Sequence, residues 1–237
     1  MPLLSSIAKK IQFAEGIVPP RWRLPVRYHG QRLVGGLEPE MALLADLVKR
    51  SDVALDVGAN RGVYAYALAN IATSVHCFEP LIECCRYIQA YKSDKIIVHS
   101  FALSDTSGLL RIYIPIIHGH AVLTRASLDR PSGESVSRDI KVRTLDSFAF
   151  PRVDFIKIDV EGFEAAMLRG AHKTIETSHP KLLVEIDHQR HTPESFVALH
   201  DWLASMGYIS HVCDEGRLRK CNDPSADSNH HINFIFL

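Results

Sequence analysis

What most constrains the fold of this chain is a recurring alternation between short apolar runs rich in β-branched residues and segments with helical period. The runs fall at 53–57, 75–78, 96–98, 155–158, 182–186, 209–212 and 232–236. They are nearly continuous in apolar character, as strands covered on both faces must be. Segments 63–72 and 81–91 separate the first three runs, and each is long enough for a crossover helix. A longer helix is expected over 161–175, where Phe163, Met167, Leu168, Ala171 and Ile175 fall mainly on one face before His179-Pro180 ends it. Another is expected over 196–206, opened by Thr192-Pro193-Glu194 in cap and first-turn positions. Strand and helix in alternation predict an α/β fold with a doubly wound, mostly parallel sheet. The rhythm changes near the end, where strands around 208–213 and 231–237 are joined by a polar stretch without helical pattern. The expectation is a seven-stranded sheet closed by a C-terminal antiparallel hairpin.

Two regions stand outside this rhythm. Residues 1–50 read as two helices around an extended link, Pro19-Pro20-Arg21-Trp22-Arg23-Leu24-Pro25. The expected division is an N-terminal helical extension over 1–33 and an α/β domain over 34–237. Residues 115–139 are polar and long for a structureless connection, so they are expected to be a lid or a disordered loop. Lys plus Arg equals Asp plus Glu at 27 each. That balance argues against a non-specific nucleic-acid binder, which needs surplus cations facing phosphates, and no nucleic-acid partner is expected. The odd set Cys77, Cys84, Cys85, Cys213 and Cys221 lacks the spacing of a disulfide framework and suits a reducing compartment. Lys9 and Lys10 interrupt the first residues where a signal peptide would be apolar, and no run approaches the roughly 20 apolar residues of a membrane span. The expected location is cytoplasmic.

The strongest local signal is Leu55-Asp56-Val57-Gly58-Ala59-Asn60-Arg61-Gly62, which follows the first buried run and opens a helix. Gly58 permits a tight turn and close approach of a ligand, and Gly62 lets the helix start near the strand. Asp56 suits a cationic ligand and would be a poor companion for a pyrophosphate. Asn60 stands where the dinucleotide fingerprint G-x-G-x-x-G has its second glycine, so that fingerprint is not matched. About twenty residues on, His76-Cys77-Phe78-Glu79-Pro80 ends the second run with a carboxylate that can accept from both hydroxyls of a ribose. After the third run, Phe101, Ala102 and Leu103 are placed to form an apolar platform for an adenine, with plain packing as the other reading.

In order, DVGANRGVYAYALA, CFEP, ALSD followed by Gly108, DFIKIDVEGFE with LRGA, and LLVEI resemble the FkbM family of S-adenosylmethionine-dependent methyltransferases. The resemblance covers about residues 34–187, with a tail at 231–236. It implies a Rossmann-like class I methyltransferase fold, S-adenosyl-L-methionine as cofactor, and methylation of a hydroxyl on a sugar (glycan or glycolipid) or a natural product. Carried over by position, Asp56, Gly58, Asn60 and Glu79 hold the cofactor; the residues themselves add Pro80, Ala102 and Leu103 as candidate cofactor contacts. Residues 1–33 and 115–139 match no part of the family pattern, so the identity of the acceptor does not transfer. An NAD(P)-dependent oxidoreductase and a cofactor-binding scaffold without turnover are the alternative readings.

An alcohol oxygen is a poor nucleophile, so transfer to it calls for in-line positioning and a base, the latter adding roughly 10²–10⁴-fold. Asp159 ends the strand expected beside the first across the switch of strand order, with Glu161 just beyond at a helix start where its charge is favoured. Glu185 and His188 end the next strand near the same rim. These four are the candidate catalytic residues, since converging carboxylates raise one another's pKa. No metal is expected: the acids could hold a hard cation, but no pattern of a metal-dependent methyltransferase is present, and there is no Cys-x-x-Cys pair. His118 and His120 are candidate acceptor contacts, or a base, in the lid. Arg21-Trp22-Arg23 and Arg27-Tyr28 suit a sugar, a phosphate or an anionic head group, with surface packing as the other reading. The amphipathic stretch Leu3, Leu4, Ile7 and Ile11 is expected to dock on the core, cover the acceptor site or mediate a homodimer.

Overall fold

The computed structural model describes residues 15–117, 119–123, 126–127, 132–186, 192–221, 227 and 232–237. Its principal sheet has eight strands. From the first half of the chain come β1 (Val53–Val57), β2 (Ser74–Phe78) and β3 (Ile96–His99); from the second, β8 (Phe155–Ile158), β9 (Lys181–Glu185), β10 (Ser210–Asp214), β11 (Arg217–Lys220) and β12 (Asn233–Phe236). Their order is β11-β10-β12-β9-β8-β1-β2-β3. β3, β2, β1, β8 and β9 run parallel, while β12 inserts antiparallel to both β9 and β10. The seven strands expected from the apolar runs are all present, and the count is corrected by β11. Arg217-Leu218-Arg219-Lys220 has no apolar run because it is an edge strand paired only with β10, and charged side chains blunt such edges.

Helices cover both faces of this sheet. They are α1 (Pro20–Leu33), α2 (Leu44–Leu47), α3 (Val63–Ala69), α4 (Ile82–Gln89), α5 (Glu164–Arg169), α6 (His172–Ser178) and α7 (Pro193–Ser205). On one face Leu55, Val57, Ile156, Ile158 and Val184 pack against Met167, Leu168, Ile175 and Leu203. On the other, Ala54, Val75, Phe155 and Leu183 pack against Leu44, Leu47, Ala65 and Leu68. Coverage of both faces is why the parallel strands read as unbroken apolar runs. Among the described residues no helix is long and apolar enough to cross a membrane.

Three further expectations are corrected. The link is helical from Pro20 on, not extended: Pro20 takes the first position of α1, where its missing N–H is no loss, and buried Leu24 and Pro25 offset the bond that Pro25 cannot donate. The single helix expected over 161–175 is two, α5 and α6, parted at Gly170. A Cβ on Gly170 would lie 1.9 Å from the carbonyl oxygen of Ser104, so the helical run yields there to a close backbone crossing. The stretch 115–139 is partly sheet. β5 (Gly108–Ile117) and β7 (Ser135–Arg143) pair antiparallel in a second sheet with β4 (Ala102–Leu103) and β6 (His120–Ala121). Ile112, Ile114, Ile140 and Val142 point inward onto Leu81 and Cys84, and the residues between them face water.

Candidate active site

In a parallel sheet of this order the chain leaves β1 toward β2 and β3, then returns on the other side of β1 as β8. The strand ends on either side of that reversal diverge and leave a crevice. Its floor is a backbone contact that only glycine allows: Gly58 has φ +79°, and a Cβ there would lie 1.7 Å from the carbonyl oxygen of Asp159. Gly58 N and Ala59 N donate to Phe78 O at 2.9 and 3.2 Å, fixing the turn against the end of β2. Gly62, also at positive φ, starts α3.

Above this floor lies a cleft with about 890 Å³ of open space. Gly58, Asn60, Glu79, Pro80, Ala102 and Leu103 line it together with Asp159, Glu161 and Glu185. Ile112, Ile140, Leu123, Ala126 and Ser127 of the second sheet and its loops complete the wall. Glu79 is buried, and its carboxylate accepts from Asn60 N and Leu81 N, both at 2.8 Å. Burial pushes its pKa up to about 7 despite those two amides. Each oxygen keeps a lone pair for a further donor.

Asp56 lies not in this cleft but in an adjoining hollow that shares Gly58, Asn60 and Asp159 with it. It sits beside Lys157 in the register of β1 and β8, on the face shared with Ala54 and Phe155. Lys157 is buried, donates to Asp159 Oδ2 at 2.7 Å and stands 4.8 Å from the Tyr64 ring centroid. Burial alone would lower its pKa, but the carboxylates of Asp159, Asp56 and Glu38 outweigh burial and raise it. The Asp56 pKa also rises, to about 6, but there burial is the chief cause. Neither of its carboxylate oxygens has a well-formed hydrogen bond among the described residues. Glu185 is pushed up to about 8 by burial and then by the charge of Asp159. Tyr64 donates to Glu38 Oε2 at 2.6 Å, and Asn233 of β12 donates to Glu38 at 3.5 Å and to Glu40 at 3.3 Å, so this polar cluster is tied to α3 and to β12.

Nine of the candidate residues therefore share one cleft, and Asp56 reaches its edge through Asp159. His188 and His118 lie outside the described residues. His120 is exposed on β6 and is not part of the cleft wall. Phe101 is no platform for a ligand in the cleft: its ring lies under Arg143, 5.5 Å from the guanidinium carbon, and against Phe148. Glu161 is not at a helix start. It has φ +55° in the turn before α5, and the N-terminal acid is Glu164, whose Oε1 accepts from Val160 N at 3.2 Å and Gly162 N at 3.1 Å. Such left-handed backbone at a side chain with a Cβ costs roughly 1–3 kcal/mol and collects where geometry serves function.

Lys157, Glu38 and Tyr64 are the residues that motif reading misses. For Lys157 a signal existed, since a lysine in the middle of a strand buried on both faces must face an acid. Glu38 and Tyr64 meet it only through tertiary contact, which no spacing encodes.

The fold resembles solved structures. A FkbM methyltransferase from Methylobacillus flagellatus matches over 96% of this chain at 18% identity, with a TM-score of 0.55. The chain spans 58% of that structure's length. A Streptococcus mutans protein assigned as a methyltransferase and solved in complex with SAH matches at 9% identity, over 84% of this chain and 96% of its own, with a TM-score of 0.49. An rRNA methylase from Streptococcus thermophilus matches at 10% identity, over 84% and 95%, with a TM-score of 0.47. Among curated proteins nothing matches. The methyltransferase FkbM domain, however, matches residues 56–210, which include every cleft residue named above from β1 to β9, and the chain belongs to that FkbM methyltransferase family.

Proposed function

We propose that this chain is an S-adenosylmethionine-dependent O-methyltransferase whose acceptor is a hydroxyl of a sugar, on a glycan or glycolipid, or of a natural product. The observation that carries the reading is a single cleft joining Glu79, Ala102 and Leu103 across Gly58 to the acids Asp159, Glu161 and Glu185. The residues suit the cofactor. Glu79 accepts from the ribose hydroxyls with its remaining lone pairs, and Ala102 and Leu103 offer an apolar wall to the adenine. The unsatisfied carboxylate of Asp56 suits the ammonium of the methionine part, and Asn60 and Pro80 border the ribose. When bound, S-adenosylmethionine supplies a methyl group already activated by its sulfonium.

The remaining work falls to the acids. Lys157 holds Asp159 in one orientation, and Asp159 accepts from a neighbouring hydroxyl of the acceptor, which aligns the reacting oxygen with the methyl carbon. Glu185, whose proton affinity burial and Asp159 raise, takes the hydroxyl proton as the new bond forms. A base is needed for an alcohol, which keeps its proton at neutral pH, and this supports an oxygen acceptor. Five free, buried cysteines support a reducing, cytoplasmic setting.

The test is calorimetry with S-adenosylhomocysteine and with NADH, followed by incubation of cell extracts with labelled S-adenosylmethionine. The expected results are tight binding of S-adenosylhomocysteine alone and a product heavier by one CH₂ on oxygen. Tight binding of NADH alone would favour an oxidoreductase and sink the reading. Cofactor binding without any methylated product in extracts of the source cells would favour a scaffold.

A further inference from the structure

α1 is unlike the rest of the chain in charge. Its sequence PRWRLPVRYHGQRL holds Arg21, Arg23, Arg27 and Arg32 and no acid, in a protein whose cations and anions balance. Two of these arginines meet Arg61, from the turn after β1. Arg27 and Arg61 flank Tyr87, their guanidinium carbons 5.8 and 5.6 Å from its ring centroid. Both approach Glu15, at 3.0 and 3.9 Å. Arg23 borders the same hollow with Arg61 and Tyr87, and its Nε is buried with no partner among the described residues. Glu83 at this rim is already engaged by Arg138 at 2.6 Å. Two guanidinium groups thus share one carboxylate while a third keeps an unpartnered donor, and a buried guanidinium donor without a partner costs stability unless a ligand satisfies it.

The hollow adjoins the site. Arg61 also lines the adjoining space that contains Asp56, Lys157 and Asp159, together with Arg27. Leu123 is shared with the main cleft. A molecule with its hydroxyl at Asp159 can therefore extend toward the arginines without leaving the protein surface. The planar fork of arginine matches the tetrahedral oxygens of a phosphate in bidentate fashion.

From this we infer that the methyl acceptor carries a phosphate group, and that Arg23, Arg27 and Arg61 bind it beside the methyl-transfer cleft. The inference rests on the methyl-transfer reading and adds the class of acceptor to it. Nucleotide sugars and phosphoglycolipids share the required chemistry. Trp22 and Ile17, 52% and 68% exposed and next in sequence to Arg23 and Gly16 of the hollow, make the lipid source worth a separate arm.

The test uses the full chain and inorganic pyrophosphate, titrated by calorimetry with and without saturating S-adenosylhomocysteine. Saturable binding is expected in both conditions, weakened at least tenfold by Arg23→Gln and by Arg61→Gln and less by Arg23→Lys. Arg23→Gln should leave affinity for S-adenosylhomocysteine unchanged. Absence of saturable pyrophosphate binding overturns the inference. So does displacement of S-adenosylhomocysteine by pyrophosphate, which would assign the arginines to the cofactor's carboxylate. Failure of S-adenosylhomocysteine to bind at all would instead be a failure of the methyl-transfer reading, and the titration without it still tests the phosphate site. Displacement of pyrophosphate by UDP-glucose supports a nucleotide sugar, and displacement by phosphatidylglycerol vesicles alone supports a lipid head group. Displacement by neither overturns the acceptor assignment.

Discussion

Asp56 shows at the scale of one residue how a site and a stable core oppose each other. Burial lifts its pKa to about 6 from 3.8, so between those pH values the folded chain holds a proton that the unfolded chain releases. The stability contributed by the neutral form is therefore complete below about pH 3.8 and is lost as pH rises through about 6. A tenfold difference in proton affinity between the folded and unfolded chains corresponds to about 1.4 kcal/mol. Asp56→Asn is expected to stabilise the cofactor-free protein by about 1–3 kcal/mol at pH 8, with the gain fading toward pH 4. Urea unfolding at both pH values measures this, and equal effects at both would show that the carboxylate is solvated. Affinity for S-adenosylhomocysteine should fall in the same variant. Glu79 and Asp159 are expected to separate binding from turnover. Glu79→Ala removes charge-assisted bonds and should weaken cofactor binding roughly 10- to 100-fold. Asp159→Asn should spare that affinity and cut kcat at least tenfold, and Glu185→Gln should cut it by about 10²–10⁴-fold. Because Glu185 works as the carboxylate, kcat should rise with pH toward about 8, and a profile already flat from pH 6 would remove it from the role of base.

At the scale of elements, the junction of α5 and α6 makes a sharp prediction. Gly170→Ala forces a Cβ against the Ser104 carbonyl, and neither backbone segment can move alone because Asp146 N also donates to Gly170 O at 3.0 Å. A loss of about 2–4 kcal/mol is expected, read as a lower urea midpoint. The same junction explains where sequence reading stops. Periodicity reads 161–175 as one face, and Met167, Leu168, Ala171 and Ile175 of that face are buried while Phe163 is half-buried on the cleft, but the crossing with Ser104 that parts the helix is a contact between segments far apart in sequence. Thr192 is the opposite case. Its cap role is local: its Oγ1 accepts from Ser195 N at 3.2 Å, as the Thr-Pro-Glu opening predicts. The hairpin of β5 and β7 lies between these cases, because Ile112, Ile114, Ile140 and Val142 alternate with polar residues and so carry a strand signal. That signal is masked where the intervening stretch is long and polar. The parallel strands β1, β2, β8 and β9 are legible because both their faces are covered, and with them the cleft, whose floor and rim are the turns that follow these four strands.

For the whole molecule, the cleft couples folding to ligand. Gly58 ties β1 to β8, Glu79 ties the end of β2 to Asn60 and Leu81, and the second sheet closes the wall through Ile112 and Ile140. A ligand held by all three joins both halves of the principal sheet to the second sheet, and it binds the folded chain only. At a concentration of 100 times its Kd such a ligand adds about 2.7 kcal/mol of stability. For a chain of this length that is roughly 5–10 °C in Tm. S-adenosylhomocysteine should produce that rise in the wild type, and at the same concentration Glu79→Ala should lose about half of it or more. Asp159→Asn, whose role lies in turnover, should keep the rise in full. A thermal scan of the three proteins with and without ligand thus separates binding from catalysis without needing the acceptor. Should Asp159→Asn lose the shift as fully as Glu79→Ala, the acidic rim would belong to the cofactor site, and the base would have to be sought elsewhere on the cleft wall.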